Sequence, residues 1–241
     1  YYDSSGTGKS DAPTKIEFYK PEYSVKEIEL IRQKIGAKEI WLFGHSDQSA
    51  IALQYAIKYP KHLAGLILSG TSLVGTQSES IERRRNSENK RIAESKWFAK
   101  VIKDWDYMTS NNTTFDKNGN DISTAKIKWW TYNEETAQKV IPITKEITKA
   151  GRRKPINNEY YQETPEERNK YLKIQKQIRN LNTRILIING KYDTNNPEEF
   201  AKELHFWLPN SKLAVIDKAG HFPWVEQPDE TFKEIKKWLE E

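Results

Sequence analysis

Short apolar segments alternate with longer amphipathic segments along residues 1–76 and again along residues 181–241. Four of the apolar segments have the length and composition of buried strands: Glu39–Phe43, Leu63–Ser69, Arg184–Ile188 and Lys212–Ile216. Buried strands separated by helices form parallel sheets, because right-handed crossovers then cover both faces. The pattern therefore predicts an α/β fold with a parallel sheet and helices on both of its faces.

The amphipathic segments predict the helices between these strands. In the first of them, Ser24 and Glu27 have the spacing of a capping box, and Gly36 marks the end of the helix. Its predicted apolar face consists of Ile28, Leu30, Ile31 and Ile35. The later helices are expected at Asp47–Tyr59, Pro197–Trp207 and Pro228–Glu241.

Residues 77–180 interrupt the alternation with long charged stretches of helical spacing, for example Ile81–Ile102 and Glu166–Ile178. Half of the eight tryptophans lie in this region: Trp97, Trp105, Trp129 and Trp130. The change predicts a mostly helical subdomain inserted into an α/β core made of residues 1–76 and 181–241. The sequence has no run of eighteen or more apolar residues, so no membrane span is expected.

The composition excludes several kinds of functional site. The sequence has no cysteine, which excludes disulfide scaffolds, thiolate metal sites and cysteine nucleophiles. With four histidines and no paired spacing such as HExxH, we expect no metal site. The lack of cysteine fits a reducing compartment, and we expect a cytoplasmic protein. Because the chain opens on Tyr1-Tyr2-Asp3, which resembles the end of a strand, the lack of a targeting signal says little about location.

The net charge of +5 is unevenly distributed along the chain. Residues 77–180 carry a net charge of +7, whereas the remainder carries −2. A basic region of this kind attracts nucleic acid or anionic surfaces. No recognition motif for DNA or RNA accompanies the charge, so we interpret it as the solvated faces of lysine-rich helices and expect no nucleic-acid partner.

A serine lies where the first predicted strand turns into a helix, in the segment Gly44-His45-Ser46. A sharp strand-to-helix turn exposes the serine hydroxyl at the carboxyl end of the strand. The backbone N–H of Asp47, at the start of the helix, then points at a developing oxyanion. Taken alone, however, Ser46 is more simply interpreted as a helix N-cap.

Two further side chains follow the last two predicted strands: Asp193 after the third strand and His221 after the fourth. Because the carboxyl ends of parallel strands meet at one edge of the sheet, we expect all three side chains to lie together. A serine hydroxyl needs a base to take its proton, and an imidazole base needs a carboxylate to orient it. The order predicts Ser46 as nucleophile, His221 as general base and Asp193 as the orienting acid. An aspartate helix cap and a loop histidine are the alternatives.

Several segments carry a resemblance to a known family: residues 1–10, 43–46, 190–193, 219–221 and 226–228. On these segments the sequence resembles the α/β-hydrolase family over essentially its whole length. The resemblance implies a serine hydrolase without metal or organic cofactor, and it identifies residues 77–180 as the family's cap domain. Within the family, the sequence is most similar to the prolyl iminopeptidase branch.

The sequence departs from the family pattern in two places. Gln48 stands where the family has a glycine that lets the helix pack closely on the strand, so we expect extra room or a shifted helix there. The family's first three strands, and the His-Gly loop that gives a second oxyanion N–H, have no counterpart in the sequence. We expect a companion chain or a further segment to supply these strands, because a bare sheet edge invites association.

The inserted region is expected to set specificity by roofing the site and excluding water. Trp129 and Trp130 are candidates for an apolar substrate pocket, although the core of the insertion is an equally good place for them. An aminopeptidase must also neutralise a substrate ammonium. The candidate carboxylates are Glu134 and Glu159, together with Glu135 and Glu163. His45, next to Ser46, is expected to be a structural, hydrogen-bonding residue.

The resulting hypothesis is a hydrolase that cleaves an amide or ester bond of a small molecule or short peptide through an acyl-enzyme. An aminopeptidase for N-terminal proline is placed slightly ahead of a carboxylesterase. A catalytically inactive relative that binds ligands is the alternative from another class, supported by Gln48 and the missing strands.

Overall fold

The four predicted strands form one parallel sheet in a computed structural model that describes residues 2–71, 77–149 and 174–241. The strands are β1 Ile40–His45, β2 Leu63–Ser69, β3 Ile185–Gly190 and β4 Ser211–Ile216. They lie in the order β1-β2-β3-β4, and each pairs in parallel with the next. The predicted α/β fold with a parallel sheet is confirmed, and each strand lies within two residues of its expected bounds.

Helices separate the strands along the chain. They are α1 Pro21–Lys34, α2 Asp47–Lys58, α3 Gln77–Glu94, α4 Lys96–Asn111, α5 Ala125–Trp129, α6 Glu134–Lys149, α7 Glu198–Trp207, α8 Pro223–Glu226 and α9 Pro228–Leu239, with 3-10 turns at Ile16–Tyr19 and Pro60–His62. Residues 174–178 are also helical. None of the helices in the described ranges is both long enough and apolar enough to cross a membrane.

The alternating side chains of β2 and β3 divide the buried core between the two faces of the sheet. Leu66, Leu68 and Ile187 belong to the core that α1, α2 and α7 cover. Ile67 and Ile188 belong to the opposite core, where Trp238 of α9 packs. Burial of apolar surface on both faces explains why these central strands are apolar throughout rather than alternating with polar residues.

Helix α1 differs from its prediction in where it begins and in which side chains form its buried face. It begins at Pro21, so Ser24 lies inside the helix and no side chain caps its start. Proline suits a first helical position because its fixed φ matches the helix and its missing N–H would have had no partner there. Glu27 instead accepts a hydrogen bond from the backbone N–H of Ser5, and Leu30 is 63% exposed. The capping box was therefore wrong, and the apolar face was only partly right.

The strand β1 lies at an edge of the sheet formed by the described residues, where it pairs only with β2. Its Trp41 and Phe43 side chains are 44% and 47% exposed. Trp41 contacts Trp238 edge-to-face, with 5.2 Å between ring centroids. Aromatic side chains on an edge strand form the kind of surface that favours pairing with another strand.

The helices α3 to α6 lie between β2 and β3 in the chain; we call residues 77–149 the helical insertion. The predicted helical spacing over Ile81–Ile102 is confirmed as two helices, which are separated at Ser95. The Ser95 hydroxyl accepts a hydrogen bond from Phe98 N–H at 3.2 Å. The predicted helix Glu166–Ile178 is seen over residues 174–178, and its earlier part lies outside the described residues. The core of the helical insertion contains Phe98, Val101 and Trp129.

Candidate active site

Ser46 occupies a strained turn between β1 and α2. Its φ of 53° and ψ of −126° are unusual for a residue with a side chain, and α2 begins at the next residue, Asp47. The Ser46 side chain makes no capping hydrogen bond to the helix. The simple N-cap interpretation is therefore wrong, and the geometry resembles the turn that exposes a nucleophilic hydroxyl. As the first residue of α2, Asp47 has a backbone N–H without an acceptor inside the helix.

The tight packing of this turn depends on Gly44. A Cβ atom at Gly44 would lie 2.8 Å from Cα of Ser49 and 2.9 Å from the carbonyl oxygen of Gln48. The Ser49 hydroxyl donates a hydrogen bond to the Gly44 carbonyl at 2.9 Å. The Gln48 side chain is exposed, so the extra room or helix shift expected at Gln48 is not required. The strand–helix contact is made at Gly44 instead.

The acid and base predicted from the sequence form a buried pair. His221 Nδ1 lies 2.7 Å from Oδ2 of Asp193, and the two residues are only 3% and 1% exposed. The other carboxylate oxygen, Oδ1, accepts a hydrogen bond from the Asn196 N–H at 2.8 Å. Because a carboxylate accepts hydrogen bonds, we assign the imidazole proton to Nδ1, which leaves Nε2 available as a base.

The Ser46 backbone lies at the same edge of the sheet as this pair. Ser46 N–H donates to the carbonyl of Ser69, the last residue of β2, at 2.9 Å. The next residue, Gly70, approaches the pair so closely that a Cβ there would lie 3.0 Å from the His221 ring and 3.2 Å from Asp193 Oδ2. Within the described ranges, the Ser46 hydroxyl makes no hydrogen bond with His221.

His45 is hydrogen-bonded to the backbone of His221 and packs against its ring. Its Nε2–H donates to the carbonyl oxygen of His221 at 2.9 Å, and the two ring centroids are 4.5 Å apart. Burial, reinforced by the neighbouring His221 imidazole, lowers the pKa of His45 from 6.5 to about 3. His45 is thus a neutral hydrogen-bond donor, which agrees with the structural role expected for it.

The structure separates the two candidate tryptophans of the helical insertion. Trp129 is only 7% exposed, and its Nε1–H donates to Glu88 at 2.9 Å inside the core of the insertion. Trp130 is half-buried and stacks toward His221, with 6.1 Å between ring centroids. The structure therefore contradicts Trp129 as a lining residue of the site, since its ring faces the insertion's own core. Trp130 stays a candidate.

The candidate carboxylates differ in their interaction partners. Glu134 accepts hydrogen bonds from Trp97 Nε1 at 2.8 Å and from Gln138, and it forms an ion pair with Lys128. Partial burial opposes ionisation, but these hydrogen bonds lower the pKa of Glu134. These partners all belong to the helical insertion, and a role for Glu134 in substrate binding stays a prediction. Glu135 forms an exposed ion pair with Lys139. Glu159 and Glu163 lie outside the described residues.

Two buried charged residues near the site were not assigned a role from the sequence. Arg91 of α3 is 5% exposed, and Glu226 of α8 is fully buried. Burial lowers the pKa of Arg91 to about 10, with the carboxylates of Glu226 and Asp193 opposing the change. Burial raises the pKa of Glu226, while backbone N–H groups that donate to it oppose the change. Arg91 lies in an ordinary charged helix pattern, so no sequence signal distinguishes it.

No metal site is apparent in the part of the chain that the structure describes. Within those ranges, no group of three or more histidine, aspartate or glutamate side chains is placed to hold an ion. The reactive groups at the site are a hydroxyl on a strained turn and, beside it, a buried imidazole–carboxylate pair.

Comparison with known proteins agrees with this geometry. A family model described as the alpha/beta hydrolase fold matches residues 1–228. The proline iminopeptidase of Saccharolobus solfataricus is 25% identical over 244 residues, which cover 100% of this chain and 75% of that protein. The proline iminopeptidase of Clostridium botulinum is 26% identical over 246 residues, covering 99% of this chain and 78% of that protein.

Solved structures show the same fold. An alpha/beta fold family hydrolase from Bacillus anthracis superposes with a TM-score of 0.67 at 17% identity, covering 98% of this chain and 80% of that one. A thermophilic esterase from Thermogutta terrifontis superposes with a TM-score of 0.62 at 22% identity, covering 99% of this chain and 78% of that one. At these identities the likeness concerns the fold alone.

Proposed function

Because the chain belongs to the alpha/beta hydrolase fold family, we propose that it is a serine hydrolase that cleaves an amide or ester bond through an acyl-enzyme on Ser46. The single observation that carries the proposal is the buried hydrogen bond of 2.7 Å between His221 Nδ1 and Asp193, next to a serine held in a strained turn. This combination of an oriented base and a hydroxyl on a strained turn is what nucleophilic catalysis requires.

In the proposed mechanism, Nε2 of His221 takes the proton of the Ser46 hydroxyl as its oxygen attacks the substrate carbonyl. Asp193 holds the imidazole in the required tautomer and stabilises its protonated form. The backbone N–H of Asp47 donates a hydrogen bond to the oxyanion of the tetrahedral intermediate. His221 then protonates the leaving group, and a water activated by the same imidazole hydrolyses the acyl-enzyme.

We propose an aminopeptidase that removes N-terminal proline from a short peptide as the more specific function. Two relatives that align over nearly the whole chain are proline iminopeptidases, which supports this choice. A carboxylesterase is the second candidate, because an acyl-enzyme on a serine can form from an ester as well as from an amide. Residues 77–180 would act as the cap, since the carbonyl of Trp130 contacts the N–H of His221 at 2.7 Å.

Labelling with a fluorophosphonate tests the proposed nucleophile. We expect the chain to be labelled, and we expect Ser46→Ala to abolish labelling because the attacking oxygen is gone. Ser110→Ala, which removes an exposed hydroxyl on α4, serves as the matched control and is expected to label like the parent. A parent protein that is unreactive while folded contradicts the proposal and favours a ligand-binding relative.

Turnover of a prolyl anilide, compared with that of a p-nitrophenyl ester, separates the two substrate classes. An aminopeptidase hydrolyses both model compounds but prefers the prolyl anilide in kcat/KM. Ester hydrolysis without any prolyl turnover contradicts the aminopeptidase and leaves the carboxylesterase.

We also propose that the edge of β1 that is unpaired among the described residues pairs with a strand supplied by a companion chain or by a further segment. The proposal is supported by the exposed Trp41 and Phe43 side chains at that edge. The predicted cytoplasmic location stays a prediction.

A further inference from the structure

Backbone groups of residues 130–132, between α5 and α6, lie directly against the loop that carries His221. The N–H of His221 donates to the carbonyl of Trp130 at 2.7 Å. A Cβ atom at Gly220 would collide with the backbone of Trp130 and Thr131, so the two segments touch without space between them. We call residues 130–132 the bridging segment.

Glu226 ties the bridging segment to the histidine loop. Its Oε1 accepts hydrogen bonds from the N–H groups of Gly220 at 2.9 Å and Phe222 at 3.2 Å, the two neighbours of His221. Its Oε2 accepts the N–H of Tyr132 at 2.8 Å. Hydrogen bonds to a charged acceptor are stronger than neutral ones, so this carboxylate fixes both segments at once.

Arg91 ties the bridging segment to the loop that carries Asp193. Its Nη2 donates to the carbonyls of Thr131 at 2.8 Å and Tyr132 at 2.9 Å. Its Nη1 donates to the Tyr192 carbonyl at 3.0 Å and to the Thr194 hydroxyl at 2.8 Å. Tyr192 and Thr194 are the neighbours of Asp193 in the chain, just as Gly220 and Phe222 are the neighbours of His221.

We infer that Arg91 and Glu226 are positioning residues, which clamp the bridging segment between the acid loop and the base loop and so align His221 with Asp193. The inference rests on the proposed function for its catalytic consequence, but the clamp itself is a property of the fold. Neither residue touches the imidazole; each acts through backbone groups on either side of the acid–base pair. Through Arg91 and the bridging segment, the helical insertion therefore helps to hold the acid–base pair in place.

Neutralising each clamp residue while keeping an amide in its place tests the inference. Glu226→Gln and Arg91→Gln are each expected to lower the rate of fluorophosphonate labelling on the order of 10- to 100-fold, the effect of a small misplacement of catalytic groups. The matched controls are Glu135→Gln and Arg85→Gln, which neutralise exposed residues of the same helical insertion. Both controls are expected to label like the parent.

The time course of labelling separates positioning from a general loss of structure. A folded but misaligned site labels every molecule more slowly, so the Gln variants are expected to reach the parental labelled fraction at a lower rate. Unfolding of part of the sample instead lowers the final labelled fraction, while the folded molecules still label at the parental rate.

Arg91→Lys provides the conservative comparison. It keeps the charge but loses the fork that bonds two segments at once, so we expect a labelling rate between those of the parent and of Arg91→Gln. Folded Gln variants that label at the parental rate overturn the inference.

Amide hydrogen exchange tests the clamp independently of activity. In Glu226→Gln, we expect faster exchange at the N–H groups of Tyr132 and Phe222, which lose their carboxylate acceptor, and parental exchange in β2. If the parent protein does not label, the proposed function fails while this readout still decides the clamp. Unchanged exchange at both amides overturns the clamp.

Discussion

At the residue scale, the site combines a strained backbone with buried hydrogen bonds that hold it. A non-glycine residue such as Ser46 in this region of φ costs on the order of 1–3 kcal/mol and persists only where surrounding contacts impose it. The contacts here are the bond from Ser46 N–H to Ser69 and the close approach of Gly44 to α2. Such strain is commonly found at functional sites, where it presents a reactive side chain.

The neutral, partly buried His45 makes the stability of the folded chain depend on pH. Its pKa falls from 6.5 to about 3 on folding, so the unfolded chain binds a proton that the folded chain excludes. Stability is therefore fully present above about pH 6.5 and is lost as the pH falls toward about 3, by about 1.4 kcal/mol per pH unit from this residue. Urea unfolding at a series of pH values measures this slope.

We expect His45→Gln to have a shallower dependence of unfolding free energy on pH between about 6.5 and 4.5, because the excluded proton is no longer involved. Ser110→Ala, which changes an exposed position without altering any charge, is the control and is expected to keep the parental slope. Equal slopes in His45→Gln and the parent would contradict the assignment of His45 as a neutral donor.

At the element scale, local capping decides where the helices of the insertion begin and end. The apolar spacing of residues 81–102 suits one continuous helix, yet Ser95 ends α3 and caps α4 through its bond to the Phe98 N–H. At the other end of α4, Asn112 adopts the left-handed conformation with φ of 47°, which asparagine tolerates better than most residues. Both ends of α4 are thus explained by residues that favour caps over helix interiors.

Removing the N-cap of α4 is expected to destabilise the chain. Ser95→Ala leaves a first-turn N–H of α4 without its side-chain acceptor, and we expect the free energy of unfolding to fall by about 1 kcal/mol. Chemical denaturation measures the change. Ser110→Ala, near the other end of the same helix, is expected to alter it by less than about 0.5 kcal/mol, since exposed helix positions tolerate substitution. Equal effects of the two substitutions would exclude a capping role for Ser95.

At the scale of the whole molecule, the two edges of the four-stranded sheet are unequal. Along β4, the Lys212 ammonium forms an ion pair with Glu241, so charge lies beside that edge. Along β1, Trp41 and Phe43 are exposed, and Phe43 contacts Trp224 edge-to-face. Edge strands with apolar side chains and no covering element pair readily with other chains, whereas charges discourage such pairing.

We expect the chain to self-associate reversibly through β1 when no companion strand is present. Phe43→Lys places a charge at the edge and is expected to shift sedimentation toward the monomer, because lysine on an edge strand opposes pairing. Phe206→Lys is the matched control, since Phe206 on α7 is 86% exposed but lies away from β1. Association that responds equally to both substitutions would show that general apolar exposure, and not the strand edge, is responsible.

The sequence by itself determined the strands, their parallel arrangement and the positions of the three candidate catalytic side chains that follow them. Alternating short apolar and amphipathic segments encode strands and helices locally. Because parallel strands all end at one edge, the positions of Ser46, Asp193 and His221 directly after strands predict one site without knowledge of distances. The buried pair of Asp193 and His221 agrees with that prediction.

Only the tertiary structure decided which charged and aromatic residues lie beside this site. Arg91 looks like an ordinary helix residue, and Glu226 stands in a segment that carries the family resemblance but had no role assigned to it. Trp129 and Trp130 are neighbours with the same side chain. Their roles depend on which distant segment each one meets, and helical spacing carries no information about that. Local patterns encode elements, whereas the burial of a charge or the direction of a ring is decided by the packing of elements far apart in the chain.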